Sequence, residues 1–246
     1  MASPVFTRPA RKHHREQPIV AGLRAAIARR AKPLIALLFP ALLAGFVAMT
    51  LAPATASAQP LRIVALGDSL TAGYSLPQAS AFPVLLEAAL KARGHDVAIA
   101  NAGVSGDTAS GGLARLDWSV PEGTQAVILE LGANDMLRGV DPAVTEKALD
   151  AIITRLKARG IAVLLAGMRA APNLGEDYAR RFEGIYTALA SRHDLVLYPF
   201  FLDGITGVSA HVLPDGLHPN EAGVRIIVER ILPTVERFIS SLPPAR

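Results

Sequence analysis

The stretch DGLHPN sets Asp215 and His218 three residues apart among turn-forming residues. An imidazole can take a proton from a hydroxyl, and it needs an acceptor that holds its tautomer and stabilises its cation. At this spacing one tight turn offers both groups. A hydroxyl for the pair to act on stands where the apolar run LRIVAL (61–66) breaks into Gly-Asp-Ser, at Ser69. Serine attack on an acyl carbonyl leaves negative charge on the oxygen, and that charge requires donors already in place. Two further stretches offer them: AGVSGDTASGGL after VAIAN, with Gly106 at its centre, and GANDMLRG after AVILEL, with Asn134. The backbone N–H groups of Ser69 and Gly106 and the side-chain amide of Asn134 are the candidate donors. Glycine at 106 lets the backbone approach a substrate with no Cβ in the way.

Three of these stretches follow an apolar run and DGLHPN stands just ahead of the last helix, so the elements that position them can be read next. LRIVAL (61–66), VAIAN (97–101), AVILEL (126–131), IAVLLAG (161–167) and LVLYPF (195–200) are continuous and do not alternate, the pattern of parallel strands covered on both faces. Between them FPVLLEAALKARG, PAVTEKALDAIITRLKARG and DYARRFEGIYTALASRH carry apolar residues at helical spacing, and two of the three end in Arg-Gly, a helix stop. A last helix follows HPNEAG, with Pro233 predicting a kink or break. Alternating strands and helices predict a doubly wound α/β layer. Ligands of such sheets bind beyond the carboxyl ends of the strands, where Ser69, Gly106 and Asn134 all fall.

Taken alone, Ser69 reads as a helix N-cap after a strand, because serine is a preferred cap. The other three stretches favour the chemical reading. Asp68 points away from its neighbour's hydroxyl and is assigned to ordering the loop through nearby backbone groups, as is Asp107. Residues 59–246 hold four histidines. His95, in a Gly-His-Asp turn, and His193, at a helix end, are expected in solvent. His211, seven residues before His218, is a secondary candidate to face substrate. Only His218 has an acid at the right spacing. No His and carboxylate cluster has metal-ligand spacing, so neither a metal nor a cofactor is expected. Trp118, the single tryptophan, is expected to pack in the core or a loop.

Composition narrows the classes further. Residues 1–32 carry eight basic residues against Glu16 alone, and PLIALLFPALLAGFVAMTLAP follows without charge and leads to Ala56-Ser57-Ala58. This is the form of an export leader with a cleavage site before Gln59, so residues 1–58 are read as a signal peptide and the product as periplasmic or secreted. The alternative is a retained inner-membrane anchor, since the run approaches the length of a membrane span. Pro40, Gly45 and the Ala-x-Ala ending favour cleavage. Arg29-Arg30 is a weak sign of twin-arginine export. Of 25 basic and 21 acidic residues the leader holds 8 and 1, which leaves 17 against 20 on residues 59–246, a net charge of −3. The formal charge of +4 for the whole chain therefore belongs to the leader and supports no nucleic-acid partner. The chain has no cysteine, which excludes disulfides, thiolate metal sites and a cysteine nucleophile.

GDSLTAGY, NAGVSGDT, LGANDMLRG and DGLHPN resemble, in order and spacing, the four sequence blocks of the GDSL or SGNH hydrolases. The resemblance covers essentially all of residues 59–246. VSGDT, the ELG-x-ND-x-LRG pattern and DG-x-HPN are similar to the periplasmic acyl-CoA thioesterase I, lysophospholipase L1 and arylesterase subgroup. The resemblance implies a flavodoxin-like three-layer α/β/α fold with a five-stranded parallel sheet. It also implies a triad of Ser69, Asp215 and His218 and an oxyanion hole from Ser69, Gly106 and Asn134. The site is expected to be more open than the α/β-hydrolase elbow, and Gly67-Asp68-Ser69-Leu70-Thr71 lacks that elbow's glycine two after the serine. Ala133 stands where the subgroup often has a second glycine.

The leading expectation is cofactor-free hydrolysis of a small-molecule acyl ester or thioester through an acyl-serine intermediate. Leu70, Tyr74, Leu137 and Met168 are expected to line the acyl chain's path. Deacetylation of envelope carbohydrates and a non-catalytic envelope binding module are the alternatives, and the intact set of site residues argues against the second. The sequence does not rank thioesters, aryl esters and lysophospholipids, and it leaves the oligomeric state open.

Overall fold

The computed structural model describes residues 59–242, so the leader assigned to residues 1–58 lies outside the described residues. Five parallel strands form one sheet: β1 (Leu61–Gly67), β2 (Val97–Gly103), β3 (Ala126–Glu130), β4 (Ala162–Ala166) and β5 (Val196–Tyr198), in the order β2-β1-β3-β4-β5. Helices separate them: α1 (Ser69–Ala72), α2 (Phe82–Ala92), α3 (Ala109–Ala114), α4 (Leu116–Ser119), α5 (Ala133–Leu137), α6 (Pro142–Ala158), α7 (Glu176–His193) and α8 (Glu221–Ser240). Helix α2 packs with α8, and α6 packs with α3 and α7, which gives the three-layer α/β/α arrangement. The strands are apolar because both faces are covered. Leu66, Leu129 and Leu165 are buried, each contributing roughly 1.5–3 kcal/mol relative to an exposed side chain.

The chain winds outward from β1 in one direction to β2 and in the other to β3, so the strand order reverses between β1 and β3. That reversal opens the crevice in which sheets of this kind hold ligands. Pairing runs from Leu61↔Val97 to Gly67↔Gly103 on one side and from Ile63↔Ala126 to Gly67↔Glu130 on the other. Gly67 is hemmed in at the top of β1: a Cβ there would come within 2.1 Å of Thr71 Oγ1 and 2.5 Å of Glu130 Oε2. A glycine is therefore required where strand turns into helix.

Three expectations are corrected. Strand β2 runs two residues past VAIAN, because main-chain pairing with β1 continues whatever the side chains are. Pro233 does not break α8. It lies on the exposed side of the helix, where solvent meets the carbonyl left without a donor, while buried Ile227, Ile231, Val235 and Phe238 hold the axis. Trp118 is 72% exposed on α4 and packs in neither core nor loop. Helices α1, α3, α4 and α5, of six residues or fewer, are too short to leave a periodic signal.

Candidate active site

Helix α1 is a single turn, and its start is fixed by Asp68, which accepts from the Leu70 N–H at 3.0 Å. The turn closes with Ala72 N–H donating to the Asp68 carbonyl and with Gly73 in the left-handed region. Ser69, its first residue, sits at the carboxyl end of β1. The His218 ring approaches from the far end of the chain, with Nε2 2.9 Å from Ser69 Oγ, and Nδ1 lies 2.6 Å from Asp215 Oδ2. Asp215 Oδ1 accepts from the backbone N–H groups of Leu217 (2.9 Å) and His218 (3.0 Å). The His218 and Leu217 N–H groups and then the imidazole hold the Asp215 carboxyl down at about 2. It is ionised at neutral pH, so Nδ1 carries the ring proton and Nε2 is free to accept the serine's.

The His218 loop is tied to α8. Asn220 caps that helix by accepting from Gly223 N–H, and its amide donates to the carbonyls of Ala210 and Val212. Val212 and Pro219 form an antiparallel bridge, and Leu213 N–H donates to the His218 carbonyl at 2.7 Å. The Tyr74 ring leans on the imidazole, centroids 4.4 Å apart and planes tilted by 32°.

Gly106 has φ +85°, in the region L side chains rarely adopt, and only the Arg138 guanidinium lies near the space a Cβ would fill. Backbone shape, more than steric clearance, therefore calls for glycine there. Arg138 also donates to the Gly106 carbonyl at 2.8 Å. Asn134 is the second residue of α5, and its Nδ2 donates to Asp68 Oδ2 at 3.0 Å. Ala133 packs its methyl against the core.

Three buried charged side chains lie behind these groups, and the sequence did not reveal their parts. Asp68 does accept from backbone, as expected, but it also holds the Asn134 amide, and burial raises its carboxyl to about 6. Arg115 donates to Asp107, to Ser119 and to the carbonyls of Ala102 and Gly67, joining the end of β1 to the Gly106 loop. In LARLDW it looks like any solvated arginine. Glu130 is buried at the end of β3 and accepts from Thr71 Oγ1 at 2.7 Å. A visible signal existed for it, an acid closing an otherwise apolar central strand.

Two of the four residues expected along the acyl path are elsewhere. Leu70 is 5% exposed and Met168 3%, both packed into the core. On a helical turn successive side chains point about 100° apart, so Leu70 turns inward beside Ser69. Tyr74 (46% exposed) and Leu137 (51%) do stand at the surface, joined by Val104 and Leu217, which flank the Gly106 and His218 loops. His95 and His193 are half-buried and each faces a carboxylate, Glu236 and Asp150, where solvent was expected. His211 is half-buried with Nδ1 unpartnered. Among the described residues no group of three or more His, Asp or Glu could hold a metal ion. Grooves of about 310 and 380 Å³ lie at the amino ends of the strands, away from Ser69.

A sequence profile of the GDSL-like lipase/acylhydrolase family matches residues 65–226. The chain is 39% identical over 199 residues to the esterase TesA of Pseudomonas aeruginosa, a match covering 80% of this chain and 98% of that one. It is 38% identical over 159 residues to thioesterase 1/protease 1/lysophospholipase L1 of Escherichia coli K12, covering 64% and 75%. The crystal structure of the psychrotrophic esterase EstA from Pseudoalteromonas, inhibited by monoethylphosphonate, superimposes with a TM-score of 0.70 at 30% identity, covering 74% of this chain and all of that one. With this fold, and with the four motif stretches gathered at one end of the sheet, the chain belongs to the GDSL-like lipase/acylhydrolase family, the SGNH hydrolases, enzymes that act on ester bonds.

Proposed function

We propose that this serine esterase hydrolyses carboxylic esters or thioesters with Ser69 as nucleophile, His218 as base and then acid, and Asp215 as the group that orients and charges the imidazole. The observation that carries the reading is the unbroken line from Asp215 Oδ2 to His218 Nδ1 at 2.6 Å and from His218 Nε2 to Ser69 Oγ at 2.9 Å. Ser69 Oγ bonds to the acyl carbon as its proton passes to Nε2. The carbonyl oxygen, now negative, is met by the N–H groups of Ser69 and Gly106 and by the Asn134 amide. An amide nitrogen carries two protons, so Asn134 can keep Asp68 and still face the oxyanion. The imidazolium protonates the departing oxygen or sulfur, and the acyl group stays on Ser69. Water then attacks the acyl carbon, giving its proton to Nε2, and Ser69 leaves with that proton restored.

The acyl chain lies against the exposed apolar side chains of Tyr74, Val104, Leu137 and Leu217. They favour chains longer than acetyl, as do relatives named for thioesters and lysophospholipids, and so disfavour carbohydrate deacetylation. No described helix is long and apolar enough to cross a membrane. Cleavage of the leader after Ala58 would release the enzyme to the periplasm or beyond, with Gln59 at its start, and N-terminal mass analysis of envelope protein reads this directly.

The reaction is tested by labelling with a fluorophosphonate probe. Wild type should label and Ser69→Ala should not, and p-nitrophenyl esters of increasing chain length, run beside acyl-CoA and lysophosphatidylcholine, should show turnover rising beyond acetyl. Equal labelling of Ser69→Ala would defeat the nucleophile assignment.

A further inference from the structure

Glu130 has no part in the steps above, yet it lies directly behind them. It ends β3, the strand beside β1 across the switch point, and it is buried. Its Oε2 accepts from Thr71 Oγ1 at 2.7 Å and from the Asp68 N–H at 3.3 Å, while Oε1 has no partner. Thr71 and Asp68 bracket Ser69, one inside α1 and the other capping it, and both are buried. The Asp68 carboxylate in turn accepts from the Leu70 N–H and the Asn134 amide. One side chain on the neighbouring strand thus reaches both ends of the turn that carries Ser69 and, through Asp68, the amide on the next loop.

We propose that Glu130 is a positioning residue for ester hydrolysis: by gripping Thr71 Oγ1 and the Asp68 N–H it fixes the one-turn helix α1, and so sets where Ser69 and the Asn134 amide stand. The inference rests on the roles given to Ser69 and Asn134 above.

A four-residue helix cannot hold its own geometry, since nucleating a turn costs more than its few hydrogen bonds return. Something outside it must: Leu70 packs into the core, Asn134 holds the Asp68 side chain, Arg115 and the Val104 N–H hold the Gly67 carbonyl, and Glu130 alone reaches both the Asp68 N–H and Thr71. The grip works with Glu130 as a neutral acid. Burial first, and then the Asp68 charge, push its carboxyl well above the usual carboxylate range. Oε2 acts as the carbonyl oxygen that receives both donors, and the proton rests on unpartnered Oε1. A glutamine reproduces that receiving oxygen and the volume, and alanine removes both.

Three variants measured on one aryl ester test the inference, with circular dichroism as the folding control. Glu130→Ala should lower kcat roughly 10- to 100-fold and move KM by less than about three-fold, the signature of a misplaced reacting group. Glu130→Gln should recover most of that loss. Thr71→Val, which keeps the shape and removes the hydroxyl, should lower kcat in the same direction and supplies the answer if Glu130→Ala does not fold. A folded Glu130→Ala or Thr71→Val with wild-type kcat would overturn the proposal, as would a fall in kcat no larger than the unfolded fraction. Glu130→Gln as slow as Glu130→Ala would do so too, because a charge and not a grip would then be needed. Ser69→Ala in the same assay separates the two ideas: turnover there defeats the nucleophile assignment, whereas a dead Ser69→Ala beside a fully active Glu130→Ala defeats only the part given to Glu130.

Discussion

Two aspartates flank Ser69, and they live in opposite surroundings. Asp68, its neighbour in sequence, is buried, and desolvation lifts its carboxyl to about 6. Asp215, far away in sequence, has a side chain 37% exposed, and N–H donors lower it to about 2. Asp215 is the one in contact with the imidazole, and it is ionised across the ring's working range. In the reaction proposed above it therefore keeps the ring's proton on Nδ1 and balances the imidazolium, whereas Asp68 turns to Leu70 and Asn134. The first supports geometry: it caps α1 and holds the Asn134 amide. On that reading the buried turn carries a fixed scaffold and the exposed loop carries the proton traffic. Proximity to the nucleophile in the chain is no guide to which acid does chemistry.

The sharpest way to break this division is to remove its reacting members. Ser69→Ala and His218→Ala should each lower kcat on an aryl ester by roughly 10⁴- to 10⁶-fold, the range seen when such groups act as a unit. The circular dichroism spectrum should not change, since neither side chain carries much of the core. Turnover above a few per cent of wild type in either variant would mean that the line from Asp215 to Ser69 is not the working one.

Asn134 belongs to the scaffold by its bond to Asp68 and, in the proposed mechanism, to the chemistry by its second N–H, so its loss should fall between. Asn134→Ala should lower kcat roughly 10²- to 10³-fold and change KM little, because the donor acts where charge develops. A raised KM with kcat unchanged would make Asn134 a substrate-binding residue instead.

The two acids should also respond to pH with opposite sign, read as urea unfolding from pH 4 to pH 8. Asp68 has its folded value raised, so the stability it contributes is complete below its unfolded value of 3.8 and is lost as pH rises through about 6. Asp68→Asn removes that loss and should gain on wild type across this window by an amount on the order of 1–3 kcal/mol. Asp215 has its folded value lowered, so its contribution is present above 3.8 and fades as pH falls through about 2. Asp215→Asn should therefore cost stability at pH 7 by less than about 1 kcal/mol, solvent screening being strong there. A flat difference between Asp68→Asn and wild type from pH 4 to pH 8 would remove the buried-acid side of the comparison.

The same division decides what could be read from the chain alone. Continuous apolar runs marked the five strands, and Ser69, Gly106, Asn134, Asp215 and His218 were legible because each stands at a strand end or in a turn, with residue types that have few other uses together. The partners within the scaffold behind them were not legible, although an acid closing the apolar β3 run did mark Glu130 itself. Arg115 and Glu130 meet their partners across the fold, 48 residues away at Gly67 for Arg115 and 59 at Thr71 for Glu130, and no spacing encodes that. The acyl path failed for a related reason. Leu70 and Met168 are near the site in sequence, but which way an apolar side chain turns beside a strand end is set by packing.

Tyr74 and Leu137 are the remaining members of that expected path, and the smallest effect should come from Tyr74. It was expected to touch substrate; nearly half of it is exposed to do so, and its ring also leans on His218 with centroids 4.4 Å apart. An aromatic face beside an imidazole limits the ring's rotation, worth about 0.5–1 kcal/mol at an exposed site. That range corresponds to a change in kcat of roughly two- to five-fold, so Tyr74→Ala should lower kcat by about that much. Tyr74→Phe should keep wild-type kcat, because the face and not the hydroxyl makes the contact. The two roles separate in the kinetics of esters of increasing chain length. If Tyr74 serves the imidazole, the loss is the same for every acyl chain and sits in kcat. If it serves the substrate, the loss sits in KM and grows with chain length, and Tyr74 then acts only as part of the apolar surface with Leu137, leaving His218 held by Asp215 and the turn alone.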